Sequence, residues 1–75
     1  MAQRFLIIIE KANDNFSAYS PDLPGCIATG KTPHETRENM AEAIKLHLQG
    51  LKEDGLPIPH AVASADYINV NLQAL

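Results

Sequence analysis

The chain has 75 residues, of which 45% are apolar and 20% charged, a composition typical of one small globular domain. Six basic and nine acidic residues give a net charge of −3, whereas proteins that hold nucleic acid by its phosphates are normally basic. The longest apolar run, residues 5–9, is too short for a signal-peptide core or a membrane span. One cysteine cannot form an intrachain disulfide, and so short a chain buries a small core. We therefore expect a cytoplasmic protein that gains stability by self-association.

Three short strands are predicted before the first long helix. Residues 4–11 are apolar on both faces, with Phe5, Ile7 and Ile9 on one side, which favours a central strand covered on both faces. An Asn- and Asp-rich turn at residues 12–15 leads into a second strand at residues 16–20. Two prolines then interrupt the ladder, and a third strand is predicted at residues 26–29, ending at Gly30.

The start of the helix carries the strongest local signal in the sequence. Thr32 is placed as the N-cap, Pro33 as the first helical residue, and Glu35 as the third, which together predict a capping box. The apolar positions of the predicted buried stripe are Met40, Ile44, Leu48 and Leu51. Gly55 is predicted to end the helix in a left-handed conformation.

A last strand is predicted near residues 67–72, because Ile68, Val70 and Leu72 alternate with polar or amphipathic residues. The predicted fold is therefore α+β with element order β-β-β-α-β. A right-handed crossover gives a four-stranded mixed sheet of order 3-2-1-4, with one helix on one face. The other face remains uncovered, and we expect it to associate with a second copy or with another protein.

Two turn motifs recur at a fixed separation along the chain. Residues 19–26 read Tyr-Ser-Pro-Asp-Leu-Pro-Gly-Cys, and residues 29–35 read Thr-Gly-Lys-Thr-Pro-His-Glu. The motif residues of the turn and the helix cap are Pro21, Asp22, Leu23, Pro24, Gly25, Cys26, Gly30, Thr32 and Glu35. The likeness continues through Asn39, Glu42, Ala43 and Ile44 and then residues 55–59. Over nearly its whole length, the sequence resembles the HicB antitoxin family.

The resemblance implies a partial ribonuclease H-like fold and a cytoplasmic antitoxin. Such a protein would bind and neutralise HicA, a small basic toxin that cleaves mRNA and has a double-stranded-RNA-binding fold. Residues 1–75 are expected to form a single HicB-like domain. Many members carry a C-terminal DNA-binding module, but this sequence stops at Leu75, after the predicted last strand, so direct DNA binding is not expected. Thr36 stands where the family more often has Ala.

The alternative hypothesis is a stand-alone homo-oligomeric module, regulatory in role, without a toxin partner. A dimer or tetramer is expected under either hypothesis. A third hypothesis is a metal-dependent nuclease. Such an enzyme requires several carboxylates that hold two Mg²⁺ ions, and the first of these carboxylates lies in the middle of the first strand. Glu10 lies at the end of that strand, Asp22 in a turn and Glu42 on the helix surface. We therefore predict that the protein is not an enzyme.

Cysteine and histidine chemistry is also judged from spacing. Cys26 is predicted to be a buried thiol that packs like a small apolar residue, rather than a nucleophile with His47 as its base. His34, His47 and His60 lack the i, i+4 spacing of a helical zinc site. No metal and no cofactor are expected.

Three leucines are candidates for contact with a partner. Leu23 is predicted to be exposed at the tip of the Pro-rich turn, where an apolar side chain often marks a contact. Leu46 lies well off the apolar stripe of the helix, and Leu56 follows the helix end. Together, the latter two are predicted to form a small apolar patch.

Overall fold

A computed structural model describes residues 2–75 and has α+β architecture. Its elements in chain order are β1 (Ile8–Lys11), β2 (Phe16–Tyr19), β3 (Ile27–Gly30), α1 (Pro33–Glu53) and a short 3₁₀ turn at Leu72–Ala74. The three strands form one sheet of order β1-β2-β3, and both neighbouring pairs are antiparallel. All three strands are therefore joined by short connections between sequence neighbours.

The prediction of a four-stranded mixed sheet of order 3-2-1-4 is wrong. Residues 64–71 form no strand, and their side chains are exposed, with Ile68 at 84% and Val70 at 58%. The chain reaches this point by way of residues 61–63, whose backbone N–H groups bond to side chains instead of to a strand. The predicted alternation is present in the sequence, but within the described residues the segment pairs with no strand. We call residues 64–75 the C-terminal segment.

The bounds of the other strands also differ from the prediction. The first strand was predicted from residue 4, but its ladder begins at Ile8, and residues 5–7 approach the core without forming ladder bonds. The second strand ends at Tyr19 and the third begins at Ile27 and includes Gly30. The turn between the first two strands is confirmed by a hydrogen bond of 2.8 Å from the Ala12 N–H to the Asn15 carbonyl.

The helix begins and ends as the sequence predicts. The Thr32 hydroxyl accepts the Glu35 N–H at 3.0 Å, and the Glu35 carboxylate accepts the Lys31 N–H at 2.9 Å. The return bond of the capping box thus reaches one residue further back than the usual N-cap N–H. At the other end, Gly55 has a φ of +70°. The N–H groups of Gly55 and Leu56 bond to the carbonyls of residues 52 and 51, which is the Schellman arrangement.

The core lies between α1 and one face of the sheet. Its fully buried apolar residues are Ala18, Leu23, Cys26 and Met40. Partly buried apolar residues pack around them, among them Phe5, Ile7, Ile9, Ala28, Ala43, Ile44 and Leu48. The helix packs most extensively on β3, then on β2, and only lightly on β1. One face of the sheet is therefore covered by α1, and β1 lies at the margin of that cover.

Candidate functional site

The face of the sheet opposite α1 is the candidate interaction surface, and we call it the open face. Ile9, Ala18 and Ala28 lie opposite one another in the ladder and point into the core, so the alternate residues point away from α1. The ladder residues of the open face are Ile8, Glu10, Ser17, Tyr19, Ile27 and Thr29. The sequence correctly predicted that one helix leaves this face without a helical cover.

The open face has an apolar row and a polar row. Ile8, Tyr19 and Ile27 lie opposite one another across the three strands. Tyr19 is 39% exposed and Ile27 is 68% exposed, so the row presents an aromatic ring and an aliphatic side chain to solvent. The next row contains Glu10 and two hydroxyl side chains. An apolar strip beside a polar strip is the pattern found where a protein surface contacts a partner.

The Pro-rich turn does not expose its leucine. Leu23 is 1% exposed and belongs to the core, so the prediction that it protrudes at the turn tip is wrong. The Leu23 N–H bonds to the Ser20 carbonyl, and the Cys26 N–H bonds to the Leu23 carbonyl, both at 3.1 Å. Two successive turns therefore fold the side chain inward. Leu23 has no surface to offer a partner.

The same turn confirms the predicted backbone chemistry. In the second turn Pro24 and Gly25 are the central residues, and Gly25 has a φ of +83°. A positive φ at the third position with proline at the second is the geometry of a type II turn. The glycine is needed there because a side chain disfavours that backbone conformation.

Asp22 has a role that the sequence reading missed. Its Oδ2 atom accepts the N–H groups of Val62 and Ala63, at 3.0 and 2.9 Å. The turn between β2 and β3 is thus bonded to a stretch some forty residues later. Gln3 assists, because its side-chain oxygen accepts the Ala61 N–H at 2.9 Å. An aspartate in a turn usually bonds to nearby backbone, and nothing in the local sequence signals this long-range partner.

Gly30 and Thr36 make a close contact between β3 and α1. A Cβ atom on Gly30 would lie 2.7 Å from both the Thr36 backbone nitrogen and its hydroxyl oxygen. Thr36 is fully buried, and its hydroxyl donates to the Thr32 carbonyl at 2.7 Å. The structure therefore buries a hydroxyl at Thr36, and the Thr32 carbonyl at the start of the same helix satisfies it.

The cysteine of the motif is buried, as the sequence predicted. Cys26 is 4% exposed and packs in the core with Leu23 and Met40. Burial raises the pKa of its thiol above the ordinary value, because the charged thiolate is poorly solvated there. A nucleophilic cysteine needs a lowered pKa, so this environment works against nucleophilic chemistry.

The other chemical candidates are spread over different elements. Glu10 lies on the open face, Asp22 is engaged by backbone N–H groups, and Glu42 is exposed on α1. Of the described residues, no three His, Cys, Asp or Glu lie close enough together to hold a metal ion. None of the helices in residues 2–75 combines the length and apolar content needed to cross a membrane.

Leu46 and Leu56 are exposed, at 59% and 52%. Both leucines are therefore accessible to a partner, and their contact with one stays a prediction. The sequence reading missed Ile27 as a surface residue. Its neighbours Cys26 and Ala28 face the core, so the alternation of a strand was the signal that could have placed Ile27 outside.

Comparisons with known proteins identify the family. The family model described as "HicB_like antitoxin of bacterial toxin-antitoxin system" matches residues 5–73. An uncharacterised 14.9 kDa protein of Haemophilus phage HP1 is 41% identical over 63 residues, covering 84% of this chain and 47% of that protein. A UPF0150 protein of Thermoplasma acidophilum is 37% identical over 57 residues, covering 75% of this chain and 83% of that protein.

A solved structure is similar as well. A chain of the "HicA3 and HicB3 toxin-antitoxin complex" matches with a TM-score of 0.65 and 34% identity, over 73% of this chain and 64% of that one. The present chain thus spans about half the length of the phage relative and less than two thirds of the chain in the complex. The match to the family model nevertheless covers most of the sequence, including both turn motifs. The chain belongs to the HicB-like antitoxin family of bacterial toxin–antitoxin systems.

Proposed function

We propose that this protein binds a small basic HicA-type toxin by direct contact and so neutralises it in the cytoplasm, without catalysing a reaction itself. The observation that carries the proposal is the open face, where Ile8, Tyr19 and Ile27 form an apolar row across the sheet. Family membership and the similarity to a chain of a toxin–antitoxin complex support the choice of partner.

The apolar row suits the centre of a protein–protein contact. Aromatic side chains dominate the binding energy of many interfaces, and Tyr19 offers part of its ring beside the more exposed Ile27. Both residues lie on strands whose backbone is held by ladder bonds on at least one side. A rigid surface of this kind loses little conformational entropy when it binds.

Charge favours a basic partner. The chain carries a net charge of −3. Among the ladder residues of the open face, all of which the structure describes, Glu10 is the one that carries a charge. A positively charged toxin would therefore be attracted over a distance and would meet a carboxylate at the rim of the apolar row. This attraction should weaken as the salt concentration rises.

A binding role also fits the placement of the acidic residues. A two-metal nuclease needs carboxylates that converge on one pair of ions. Glu10, Asp22 and Glu42 lie on three different parts of the molecule, and Asp22 already accepts two backbone N–H groups. The separation of these three carboxylates supports a binding role over a two-metal nuclease.

The test is co-purification of the full chain with a small basic HicA-type protein, together with an RNA-cleavage assay of that protein. The expected result is a stable complex in which RNA cleavage is suppressed. Ile27→Asp places a charge in the apolar row, and we expect it to weaken binding by at least about 100-fold. Leu46→Asp tests the candidate surface on the helix side in the same way, because Leu46 is similarly exposed but lies on α1.

Three outcomes are informative. If the wild-type chain forms no complex and RNA cleavage continues, the antitoxin proposal is wrong, and the stand-alone homo-oligomeric module replaces it. If Leu46→Asp disrupts the complex while Ile27→Asp does not, the toxin binds on the helix side and the open face is not its site. If the purified chain alone cleaved RNA when Mg²⁺ was added, the non-enzymatic role would be contradicted.

A further inference from the structure

The C-terminal segment is the part of the molecule that the proposed function leaves unexplained. Its large apolar side chains are strongly exposed: Tyr67 at 95%, Ile68 at 84%, Val70 at 58%, Leu72 at 74% and Leu75 at 91%. The radius of gyration is 15.2 Å, whereas a compact chain of this length would have about 11 Å. The segment therefore projects from the body and leaves an apolar surface in water.

The segment has the sequence of a strand with one buried face. Ile68, Val70 and Leu72 share one side of an extended chain, and Tyr67, Asn69 and Asn71 share the other. Its hydrogen bonds within the described chain are local, such as that from the Gln73 N–H to the Asn71 side-chain oxygen at 3.0 Å. The backbone is thus free to pair with another strand.

A matching groove lies between residues 5–7, just before β1, and α1. Phe5 and Ile7 form its floor on the strand side, and Ala41, Ile44 and Leu48 line the helix side, with Ile58 at one end. Two adjoining cavities of about 190 and 370 Å³ occupy it. Within residues 2–75, β1 pairs with β2 alone, so its other edge is open. Because α1 packs mainly on β3 and β2, this flank of the core is incompletely covered.

Edge strands that stay open are prone to pairing with another chain, so an occupant is expected. The opposite edge of the sheet is better protected, since the Asn39 side-chain amide donates to the Thr29 carbonyl at 2.8 Å and α1 packs most closely there. Because the β3 edge is protected and the β1 edge is open, an added strand is expected to pair with β1.

We propose that the C-terminal segment of one chain lies along the outer edge of β1 in a second copy, with Ile68, Val70 and Leu72 packed into the groove beneath α1. The two copies exchange segments reciprocally, so each groove is filled by the other chain. Such an exchange is a low-cost route to a symmetric dimer, because the same contact forms twice. Each chain keeps its own three-stranded sheet, and the added strand belongs to its partner.

Charge and tethering favour a second copy over a basic partner at this groove. Residues 67–75 contain no charged side chain. The segment is therefore not repelled by a second acidic chain, and it has no electrostatic attraction to a basic one. In its own chain, the stretch before the segment is fixed where Asp22 binds the N–H groups of Val62 and Ala63. Beyond that anchor, residues 63–65 still border residues 4–7 of their own chain, and from residue 67 onward the large apolar side chains are exposed and available to another molecule.

The first test compares two single-charge variants of the full chain by light scattering over a range of concentrations. The wild-type protein is expected to be a dimer. Val70→Asp, on the apolar side of the segment, should raise the dimer dissociation constant by at least about 100-fold. Asn69→Asp adds the same charge one residue away on the polar side and should leave the dissociation constant within about threefold, since that side faces solvent. Both positions are exposed in the single chain, so circular dichroism should show an unchanged fold.

The second test locates the contact. Chains carrying Ala41→Cys are mixed with chains carrying Val70→Cys and oxidised, and disulfide-linked heterodimers are expected. Leu46→Cys in place of Ala41→Cys is the control, because it lies about 140° further round the helix at 100° per residue. Wild-type chains, whose Cys26 is buried, report any background.

A monomeric wild type would overturn the proposal, as would a dimer that Val70→Asp and Asn69→Asp affect equally. Loss of the dimer in Ile27→Asp but not in Val70→Asp would assign self-association to the open face instead. Equal cross-linking through Ala41→Cys and Leu46→Cys would also contradict it. The proposal is independent of toxin binding, because Val70→Asp should still take up the toxin through the open face.

Discussion

The turn at residues 20–26 and the C-terminal segment reverse the usual relation between sequence pattern and burial. The turn is rich in proline and glycine, as surface turns are, yet it carries Leu23 into the core at 1% exposure. The segment alternates like an interior strand, yet Val70 and Leu72 are 58% and 74% exposed. The difference teaches that a local pattern specifies what a stretch of chain can bury. Where it is buried depends on the partner that the rest of the fold provides.

The largest expected effect comes from removing the buried leucine of the turn. Leu23→Ala should lower the free energy of unfolding by about 3 kcal/mol, because a cavity replaces a fully packed side chain. Urea denaturation followed by circular dichroism measures the change. Leu46→Ala, the same substitution at a residue 59% exposed, should stay within about 0.5 kcal/mol. Equal effects at the two positions would break the comparison between buried and exposed leucines.

The tight contact between β3 and α1 should be nearly as sensitive. Gly30→Ala should lower the free energy of unfolding by about 2 kcal/mol, because its Cβ would lie 2.7 Å from the Thr36 backbone nitrogen. Gly50→Ala is the matched control, since an added Cβ there meets nothing within 4 Å and lies in the helix. That variant should gain up to about 1 kcal/mol from helix propensity. A neutral Gly30→Ala would mean that β3 and α1 can move apart.

Asp22 joins the turn to the residues just before the C-terminal segment. Asp22→Ala should lower the free energy of unfolding by about 1 kcal/mol, because the Val62 and Ala63 N–H groups lose their acceptor. Hydrogen exchange at those two amides should accelerate, while exchange at the β1–β2 ladder should change less. Asp14→Ala, in the exposed turn after β1, serves as the control. Unchanged exchange at Val62 and Ala63 would show that the anchor lies elsewhere.

The smallest effect is a dependence of stability on alkaline pH. Because burial raises the pKa of the Cys26 thiol, the unfolded chain loses this proton at a lower pH than the folded chain. The stability that the protonated, buried thiol contributes is fully present below the thiol pKa of the unfolded chain, about 8.5. That stability is lost as the pH rises through the higher thiol pKa of the folded chain. The urea midpoint of wild type should therefore fall relative to that of Cys26→Ala as the pH rises above the ordinary thiol pKa. A constant gap between the two would contradict the raised pKa.

Features that depend on a few neighbouring residues were predictable. The capping of α1 at Thr32, the left-handed Gly55 and the turn at Pro24 and Gly25 all follow from backbone preferences that the residues carry with them. The apolar row of the open face was partly predictable, because the unbroken apolar run at residues 5–9 places apolar side chains on both faces of the first strand. Ile27 was not predicted to be exposed, because β3 is short and its alternation between core-facing and exposed side chains was not recognised.

Features that depend on distant partners were not predictable. The inward fold of Leu23 requires the space between β2, β3 and Met40, which no stretch of sequence describes alone. The two bonds that Asp22 accepts come from residues some forty positions away. Alternation at residues 67–72 predicted a fourth strand, and the structure forms none there. The prediction failed because alternation says which side chains share a face and not whether a strand lies alongside.

The order of elements along the chain has a consequence for synthesis. β1, β2, β3 and α1 each pack mainly on sequence neighbours, and the helix is closed by Leu56. A ribosome releases the N-terminal part first, so this body can fold while the later residues are still being made. The C-terminal segment, whose large apolar side chains are strongly exposed, emerges after these elements. A nascent chain would therefore expose this apolar surface only after its core can close, which limits the time available for wrong pairings.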